Sequence, residues 1–178
     1  MAQRTLFTIG HSTRTQGEFL RLLRAWKIQE LIDVRRVPGS RAVPWFGQAK
    51  LRSALAKERI AYLHIKALGG LRRATKDSLN SAWRNASFRG YADYMQTPEF
   101  AAGLDELNRR RRAKSVCVMC SEAVWWRCHR RMIADAELAR GIPVKHIMSE
   151  TIATPHDVTE FAKVRKRRGR PPIVTYPL

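Results

Sequence analysis

The twelve residues from Cys120 to Arg131 contain two cysteines, a glutamate, a histidine and three arginines. Thiolates act as nucleophiles or metal ligands, and guanidinium groups bind phosphates and carboxylates. The segment follows the apolar run Ser115–Met119, which is typical of a buried strand. We therefore expect a reactive or ligand-binding site directly after this strand.

A metal site is one interpretation. Cys120, Cys128, His129 and His11 include the sulfur and imidazole ligands that zinc prefers. However, the spacing C-x7-C-H is not that of a standard zinc knuckle, and on a helix residues 128 and 129 would point about 100° apart. The nearby arginines would also repel a cation. We therefore predict no metal and no cofactor.

A cysteine nucleophile is a second interpretation. Cys120 lies between a predicted strand and a predicted helix, in the same segment as Arg127 and Arg130, and nearby cations favour the thiolate. The layout is similar to the strand–loop–helix turn of rhodaneses and cysteine phosphatases. The spacing from Cys120 to Arg127 is C-x6-R rather than C-x5-R, and the loop has no glycine.

An anion-binding pocket is a third interpretation. Guanidinium groups and the N-terminus of a helix near Cys128 would hold a phosphate or a carboxylate. Glu122 and His11 would then form an acid–base pair beside it, as hydrolysis of a nucleotide or glycosidic bond requires. The predicted anion-binding residues are Arg35, Arg127, Arg130 and Ser12, and the candidate catalytic residues are Cys120, Glu122 and His11.

A purely structural role is the alternative for several of these side chains. Glu122 would pair with Arg35 or Arg130 and fix the loop, and Asp33, inside a strand, would accept hydrogen bonds from the backbone or an arginine. Trp125 and Trp126 would either stack a base or shield the loop.

Apolar runs alternate with segments of helical spacing along the chain. The predicted strands are residues 6–9, 30–34, 62–65, 115–119 and 144–148, and the predicted helices are residues 15–26, 50–59, 97–112, 128–140 and 157–164. This alternation predicts a doubly wound α/β fold with a mostly parallel sheet, helices on both faces and an irregular insertion at residues 69–89. Ligands of such sheets bind beyond the carboxyl ends of the strands, so His11, Arg35 and Cys120 are expected at one edge.

The C-terminal segment, residues 153–178, is predicted to be a helix followed by a basic tail on or beside the domain of residues 1–152. Its Arg168-Gly-Arg-Pro171 sequence looks like an AT-hook, in which an extended Arg-Gly-Arg lies in the DNA minor groove. The alternative is that this place is only a turn enriched in basic residues. The predicted nucleic-acid-binding residues are Arg165, Lys166, Arg167, Arg168, Gly169, Arg170 and Pro171.

Four segments carry a family resemblance: Thr8–Ser12, Leu31–Arg35, Phe88–Met95 and Cys120–Arg130. In this order they resemble the DUF488 family, a group of small bacterial and archaeal proteins of unknown function. The resemblance implies an α/β fold and supplies no reaction. Family members usually have Cys-Ala-Glu where this chain has Cys120-Ser-Glu122.

The net charge of the sequence predicts the class of binding partner. The 178 residues include 34 Lys and Arg against 15 Asp and Glu, a formal net charge of +19. Such a field attracts polyanions, chiefly DNA or another nucleic acid. The sequence has no membrane span and no signal peptide pattern, so we expect a cytoplasmic protein that does not bind membranes.

Three hypotheses follow from these patterns. The first is a nucleic-acid-associated protein with an arginine-rich pocket for a phosphorylated or nucleotide-like ligand. The second is a cysteine-dependent small-molecule enzyme whose basic surface is incidental. The third is a non-catalytic DNA-binding module.

Overall fold

The computed structural model describes residues 4–178, which contain eight strands and five α-helices. The strands are β1 (Leu6–Gly10), β2 (Glu30–Asp33), β3 (Ala61–His64), β4 (Val116–Cys120), β5 (Val144–Ile147), β6 (Ala153–Pro155), β7 (Lys163–Arg167) and β8 (Arg170–Thr175). The helices are α1 (Gln16–Ala25), α2 (Gln48–Lys57), α3 (Ala86–Tyr94), α4 (Pro98–Ala113) and α5 (Arg130–Ala139).

Six strands form one sheet in the order β3-β2-β4-β1-β5-β6, in which only β6 is antiparallel to its neighbour. Helices connect the parallel strands, so the predicted α/β class with a mostly parallel sheet is confirmed. β7 and β8 form a separate antiparallel hairpin. From residue 4 onward, no helix combines the length and the apolar character needed to cross a bilayer.

The two faces of the sheet bury different side chains because successive residues of a strand point to opposite sides. In β4, Cys117 and Met119 pack with α1 and α2, whereas Val116, Val118 and Cys120 pack with the helices of the other face. Cys120 therefore shares a face with α5, and Cys117 does not.

Local sequence signals position α1 and α4 as predicted. Thr15 and Glu18 form a capping box at the start of α1, where the Thr15 hydroxyl accepts from the Glu18 amide. Thr97 caps α4, and Pro98 occupies the first helical position. In the insertion, the Asp93 carboxylate accepts hydrogen bonds from Thr75, Ser78 and Asn80, which orders the irregular loop before α3.

Two predictions of local structure were wrong. Helix α3 falls partly within residues 80–89, which were predicted to be irregular; Asn85 caps it, and Tyr91 is buried in the core. The helix predicted at residues 157–164 is absent. There the Thr159 amide donates to the buried Asp135 carboxylate, and Lys163 and Val164 pair with β8. Contacts with the rest of the protein thus replace the hydrogen bonds of a local helix.

Candidate functional site

The carboxyl ends of β1, β2 and β4 lie level with one another. Gly10 is in register with Cys120, and Asp33 is in register with Met119. Beyond the strands, the His11 amide donates to the Cys120 carbonyl at 3.0 Å. A Cβ on Gly10 would lie 1.9 Å from the Glu122 carbonyl oxygen, so only glycine allows these loops to run so close together.

A cavity of about 430 Å³ opens at this edge. It contains His11, Arg35, Cys120, Glu122 and Arg127, five of the seven predicted catalytic and anion-binding residues. Ser12 and Arg130 do not line it. The other lining residues are Arg36, Val37, Gly39, Ser40, Gly70, Leu71, Ser87, Phe88, Tyr91, Ser121, Cys128 and His129.

Arg35 forms a buried ion pair with Asp33 at the base of the cavity. Its Nη2 lies 2.6 Å from Asp33 Oδ2 and its Nε 3.0 Å from Oδ1, and the Tyr62 hydroxyl donates to the same carboxylate at 2.7 Å. Asp33 therefore accepts hydrogen bonds from an arginine, as predicted. Because Asp33 holds the Arg35 guanidinium by hydrogen bonds, the orientation of this group toward the cavity is fixed.

His11 is held by hydrogen bonds on both ring nitrogens. Nδ1 donates to the Ser12 carbonyl at 2.8 Å, which leaves Nε2 to accept from Arg35 Nη1 at 3.4 Å. Burial, together with the nearby Arg35 charge, lowers the pKa of His11. The imidazole is thus neutral and engaged rather than free to act as a base with Glu122.

Arg36, Arg127 and Glu122 are the exposed charges of the cavity. Within residues 4–178 none of the three forms an ion pair. The expected pairing of Glu122 with Arg35 or Arg130 is therefore wrong, because Arg35 is taken by Asp33 and the Arg130 guanidinium donates instead to the Glu122 backbone carbonyl.

Two thiols and an imidazole meet on the cavity floor. His129 Nδ1 lies 3.8 Å from Cys120 Sγ and 3.7 Å from Cys128 Sγ. The expectation that residues 128 and 129 diverge on a helix is wrong: Cys128 is extended, with φ −132° and ψ 149°, and α5 begins only at Arg130.

Arg130 is hydrogen-bonded to one thiol of this group, that of Cys128. It is 1% exposed, and its backbone amide and Nε lie 3.5 Å and 3.4 Å from Cys128 Sγ. Burial raises the pKa of the Cys128 thiol, but hydrogen bonds from Cys120 and the Arg130 charge outweigh it and lower the pKa overall. A hydrogen bond to Cys128 and burial raise the pKa of Cys120. Hydrogen bonds from Arg130 thus favour the thiolate form of Cys128.

A buried polar chain that the sequence patterns did not reveal lies behind the loop. His146 Nδ1 is hydrogen-bonded to the Thr8 hydroxyl at 2.7 Å, and His146 Nε2 is hydrogen-bonded to His156 Nδ1 at 3.0 Å. His156 Nε2 lies 2.9 Å from Asp135 Oδ1. Trp125 stacks on the His146 ring at 4.2 Å. Trp125 therefore shields the interior, whereas Trp126 is 47% exposed. The network fixes the far side of the loop that carries Glu122.

The predicted nucleic-acid-binding residues lie on the β7–β8 hairpin, and none of them lines the cavity at the sheet edge. All residues from Lys163 to Pro171 are exposed. Arg168 and Gly169 form the turn, where Gly169 has a φ of +67°. The expectation of an extended Arg-Gly-Arg tail is therefore wrong, because Arg167 pairs with Arg170 across a hairpin.

Comparison with known proteins agrees with the resemblance seen in the sequence motifs. The model of the family described as domain of unknown function DUF488 matches residues 15–137. No curated protein and no solved structure matches the chain. The matched range includes Arg35 and the whole segment from Cys120 to His129 and stops before the hairpin. Because it covers more than half of the sequence, the chain belongs to the DUF488 family.

Proposed function

We propose that the cavity binds a phosphorylated, nucleotide-like small ligand. The observation that carries this proposal is that Arg36 and Arg127 line the cavity, are exposed and have no carboxylate partner within residues 4–178. An unpaired guanidinium at a concave surface is available for bidentate hydrogen bonds to phosphate oxygens.

The rest of the lining supports a ligand with an apolar part. Val37 and Leu71 are 73% and 74% exposed, and both line the same cavity together with Phe88. An apolar rim beside cationic groups fits a nucleobase or a similar flat ring attached to a phosphate. The hydroxyls of Ser40, Ser87 and Ser121 also line the cavity, where they can donate to phosphate or sugar oxygens.

Glu122 is the group we assign to proton transfer. Its carboxylate is exposed and lines the cavity, whereas His11 already uses both ring nitrogens. A carboxylate beside a bound phosphorylated ligand can accept a proton from a water or from a ligand hydroxyl. Cys120 is buried beneath, and its raised pKa favours the thiol over a nucleophilic thiolate.

Calorimetric titration tests the binding proposal with three probes: inorganic phosphate, a nucleoside and the matching nucleoside monophosphate. The monophosphate should bind more tightly than either of the other two. The double variant Arg36→Gln/Arg127→Gln should weaken it by about tenfold or more, which corresponds to about 1.4 kcal/mol for two charge-assisted contacts. Arg168→Gln, in the hairpin turn, is the matched control and should leave the affinity unchanged. Equal affinity in the wild type and the double variant would contradict the proposal.

Nucleic-acid association is the second function we propose, for this protein acting in the cytoplasm. Six of the eight residues from Lys163 to Arg170 are Lys or Arg. All are exposed, and none forms an ion pair within residues 4–178. A two-stranded antiparallel ribbon with such a charge fits the major groove of DNA and contacts its phosphates.

Fluorescence anisotropy with a labelled duplex tests this second function. The variant Arg165→Gln/Lys166→Gln/Arg168→Gln keeps the hairpin backbone, whereas deleting the segment would also remove contacts of the buried Val174. We expect DNA affinity at moderate salt to fall by about tenfold or more, because fewer counterions are released. The matched control is Arg109→Gln/Arg110→Gln, which removes cations that already pair with Glu106. An equal loss in the control would contradict a specific role for the hairpin.

A further inference from the structure

The geometry points to a divalent metal site at Cys120, Cys128 and His129, for which zinc is the chemical class. The three ligand atoms all lie within 4.8 Å of one another. The inference goes beyond the proposed phosphate pocket and does not rest on it, because the metal would be held by these three side chains alone.

The two sulfur-to-nitrogen separations are close to those around a tetrahedral ion. With Zn–S near 2.3 Å and Zn–N near 2.0–2.1 Å, two ligand atoms of a tetrahedron lie about 3.5–3.8 Å apart. His129 Nδ1 lies 3.8 Å from the Cys120 sulfur and 3.7 Å from the Cys128 sulfur. An ion could therefore be bound with only small movements of the side chains.

The histidine is already in the tautomer that a metal needs. Its Nε2 lies 3.2 Å from the Val34 carbonyl oxygen, which can only accept, so Nε2 carries the proton. Nδ1 is then unprotonated and directs its lone pair at the two sulfurs. A backbone carbonyl that orients the second ring nitrogen is the usual support of a metal-bound histidine. Gly70 makes room for the ring, since a Cβ there would lie 2.9 Å from Nδ1.

Contrary to the expectation from the sequence, Arg35 and Arg130 do not oppose a cation at this site. The charge of Arg35 is offset by Asp33, and Arg130 donates two hydrogen bonds to Cys128 Sγ. N–H groups directed at a sulfur stabilise a thiolate, and two thiolates neutralise the charge of a divalent ion. A set of two sulfurs and one imidazole nitrogen selects zinc over magnesium or calcium, which prefer oxygen ligands.

With three protein ligands the ion would keep one coordination position open, and all three ligand residues line the cavity. Three protein ligands with one open position are the arrangement of catalytic rather than structural zinc sites. A ligand of the cavity could thus reach the ion directly.

Cobalt titration of the reduced full-length protein under anaerobic conditions tests the inference, with the metal alone as the probe. The wild type should take up one Co²⁺ per chain with the sulfur-to-metal absorption and intense visible bands of a tetrahedral thiolate complex. Zn²⁺ should displace the cobalt stoichiometrically. Weak, octahedral-type bands or no uptake would overturn the inference, and this readout needs no variant.

Variants then assign the ligands. Cys120→Ser, Cys128→Ser and His129→Gln should each lower the Zn²⁺ affinity, measured against a chromophoric chelator, by about 100-fold or more. Cys117→Ser is the matched control, because Cys117 is also a buried free cysteine but lies on the opposite face of β4. Circular dichroism establishes that each variant is folded. A loss in Cys117→Ser equal to that in Cys120→Ser would overturn the assignment. The nucleotide titrations described above are independent, so either result can fail without the other.

Discussion

Arginines of the cavity base and arginines of the hairpin are held in opposite ways. Arg35 and Arg130 are 4% and 1% exposed, and each is fixed by hydrogen bonds to Asp33 or to Cys128 and the loop carbonyls. Every residue of β7 is exposed. Within residues 4–178, Arg167 is the only cation of the hairpin whose side chain donates to a backbone carbonyl, that of Pro171. The fixed arginines hold the sheet edge in one geometry, whereas exposed cations without a carboxylate partner are available to bind phosphates.

The end of α4 shows that a run of arginines is not by itself a binding surface. Arg109 and Arg110 pair with Glu106 of the same helix, and the buried Arg111 donates to the Arg4 carbonyl. The hairpin has no such acidic neighbours in its own sequence. The family match also separates the two regions, because it includes most of the cavity and ends before the hairpin.

Removing the partner of a fixed arginine should have the largest effect. Asp33→Ala leaves the Arg35 charge buried and unpaired, which should lower the free energy of unfolding by about 3–5 kcal/mol. Tyr62→Phe, which removes only one hydrogen bond to the same carboxylate, should cost about 1 kcal/mol. Arg168→Gln in the hairpin should change stability by less than about 0.5 kcal/mol. Urea denaturation measures the stability of all three variants. A smaller loss of stability in Asp33→Ala than in Tyr62→Phe would refute the role of the Asp33–Arg35 ion pair.

Adding one methyl group to a glycine compares the packing of the two regions. Gly10→Ala places a Cβ 1.9 Å from the Glu122 carbonyl oxygen, so we expect a loss of about 3 kcal/mol from displaced backbone. Gly169→Ala meets nothing within 4 Å and is strained only by its φ of +67°, at about 1 kcal/mol. Thermal unfolding of both variants gives the difference, and equal losses would contradict a tightly packed sheet edge.

Acid should weaken the region behind the cavity without changing the charges of the hairpin. Burial, the neighbouring His156 ring and the Arg130 guanidinium lower the pKa of His146 to about 2. The unfolded chain, in which a histidine titrates near 6.5, therefore takes up a proton first as the pH falls. The contribution of His146 to the free energy of unfolding is complete above pH 6.5. Below pH 6.5 it should decline, with a slope that approaches about 1.4 kcal/mol per pH unit.

Two variants isolate the His146 contribution in melting curves between pH 8 and pH 5. His146→Gln should reduce the slope of stability against pH, below pH 6.5, by the equivalent of about one proton. Thr8→Val removes the hydrogen bond to His146 but keeps the ring buried, so it should lower stability at every pH and leave the slope as in the wild type. An unchanged slope in His146→Gln would mean that other groups cause the decline.

The salt dependence of DNA binding gives the smallest effect and the sharpest contrast. Arg168→Gln and Arg170→Gln should each reduce the slope of log K against log salt by about 0.9, the value for one phosphate contact. Arg127→Gln, in the cavity, should leave that slope unchanged. Anisotropy titrations across a series of salt concentrations measure the slopes. A reduction by Arg127→Gln as large as by Arg168→Gln would remove the distinction between the regions.

Much of the fold could be predicted because its signals are local. The apolar runs of the first five strands and the caps at Thr15 and Thr97 predict elements whose bounds agree with the structure to within a few residues. The C-terminal hairpin could not be predicted in this way. β7 is cationic and exposed throughout, and β8 begins with Arg170 and two prolines. No alternation of apolar and polar residues therefore marks the hairpin, and Gly169 in the turn is the main signal.

The candidate site was predictable in position but not in chemistry. Parallel strands bring His11, Arg35 and Cys120 to one edge whatever the loops do. The partnership of Cys128 and His129 with Cys120 depends on α5 beginning two residues later than the sequence indicated. The polar chain from Thr8 through His146 and His156 to Asp135 includes a bond between residues 138 positions apart in sequence, and only tertiary structure brings them together.

A crystal structure grown with a nucleoside monophosphate tests the proposed cavity most directly. We expect the phosphate between the guanidinium groups of Arg36 and Arg127, with the base against Val37, Leu71 or Phe88. A ligand found only on the β7–β8 hairpin, or an empty cavity at saturating nucleotide, would contradict the proposal that this sheet edge binds a phosphorylated ligand.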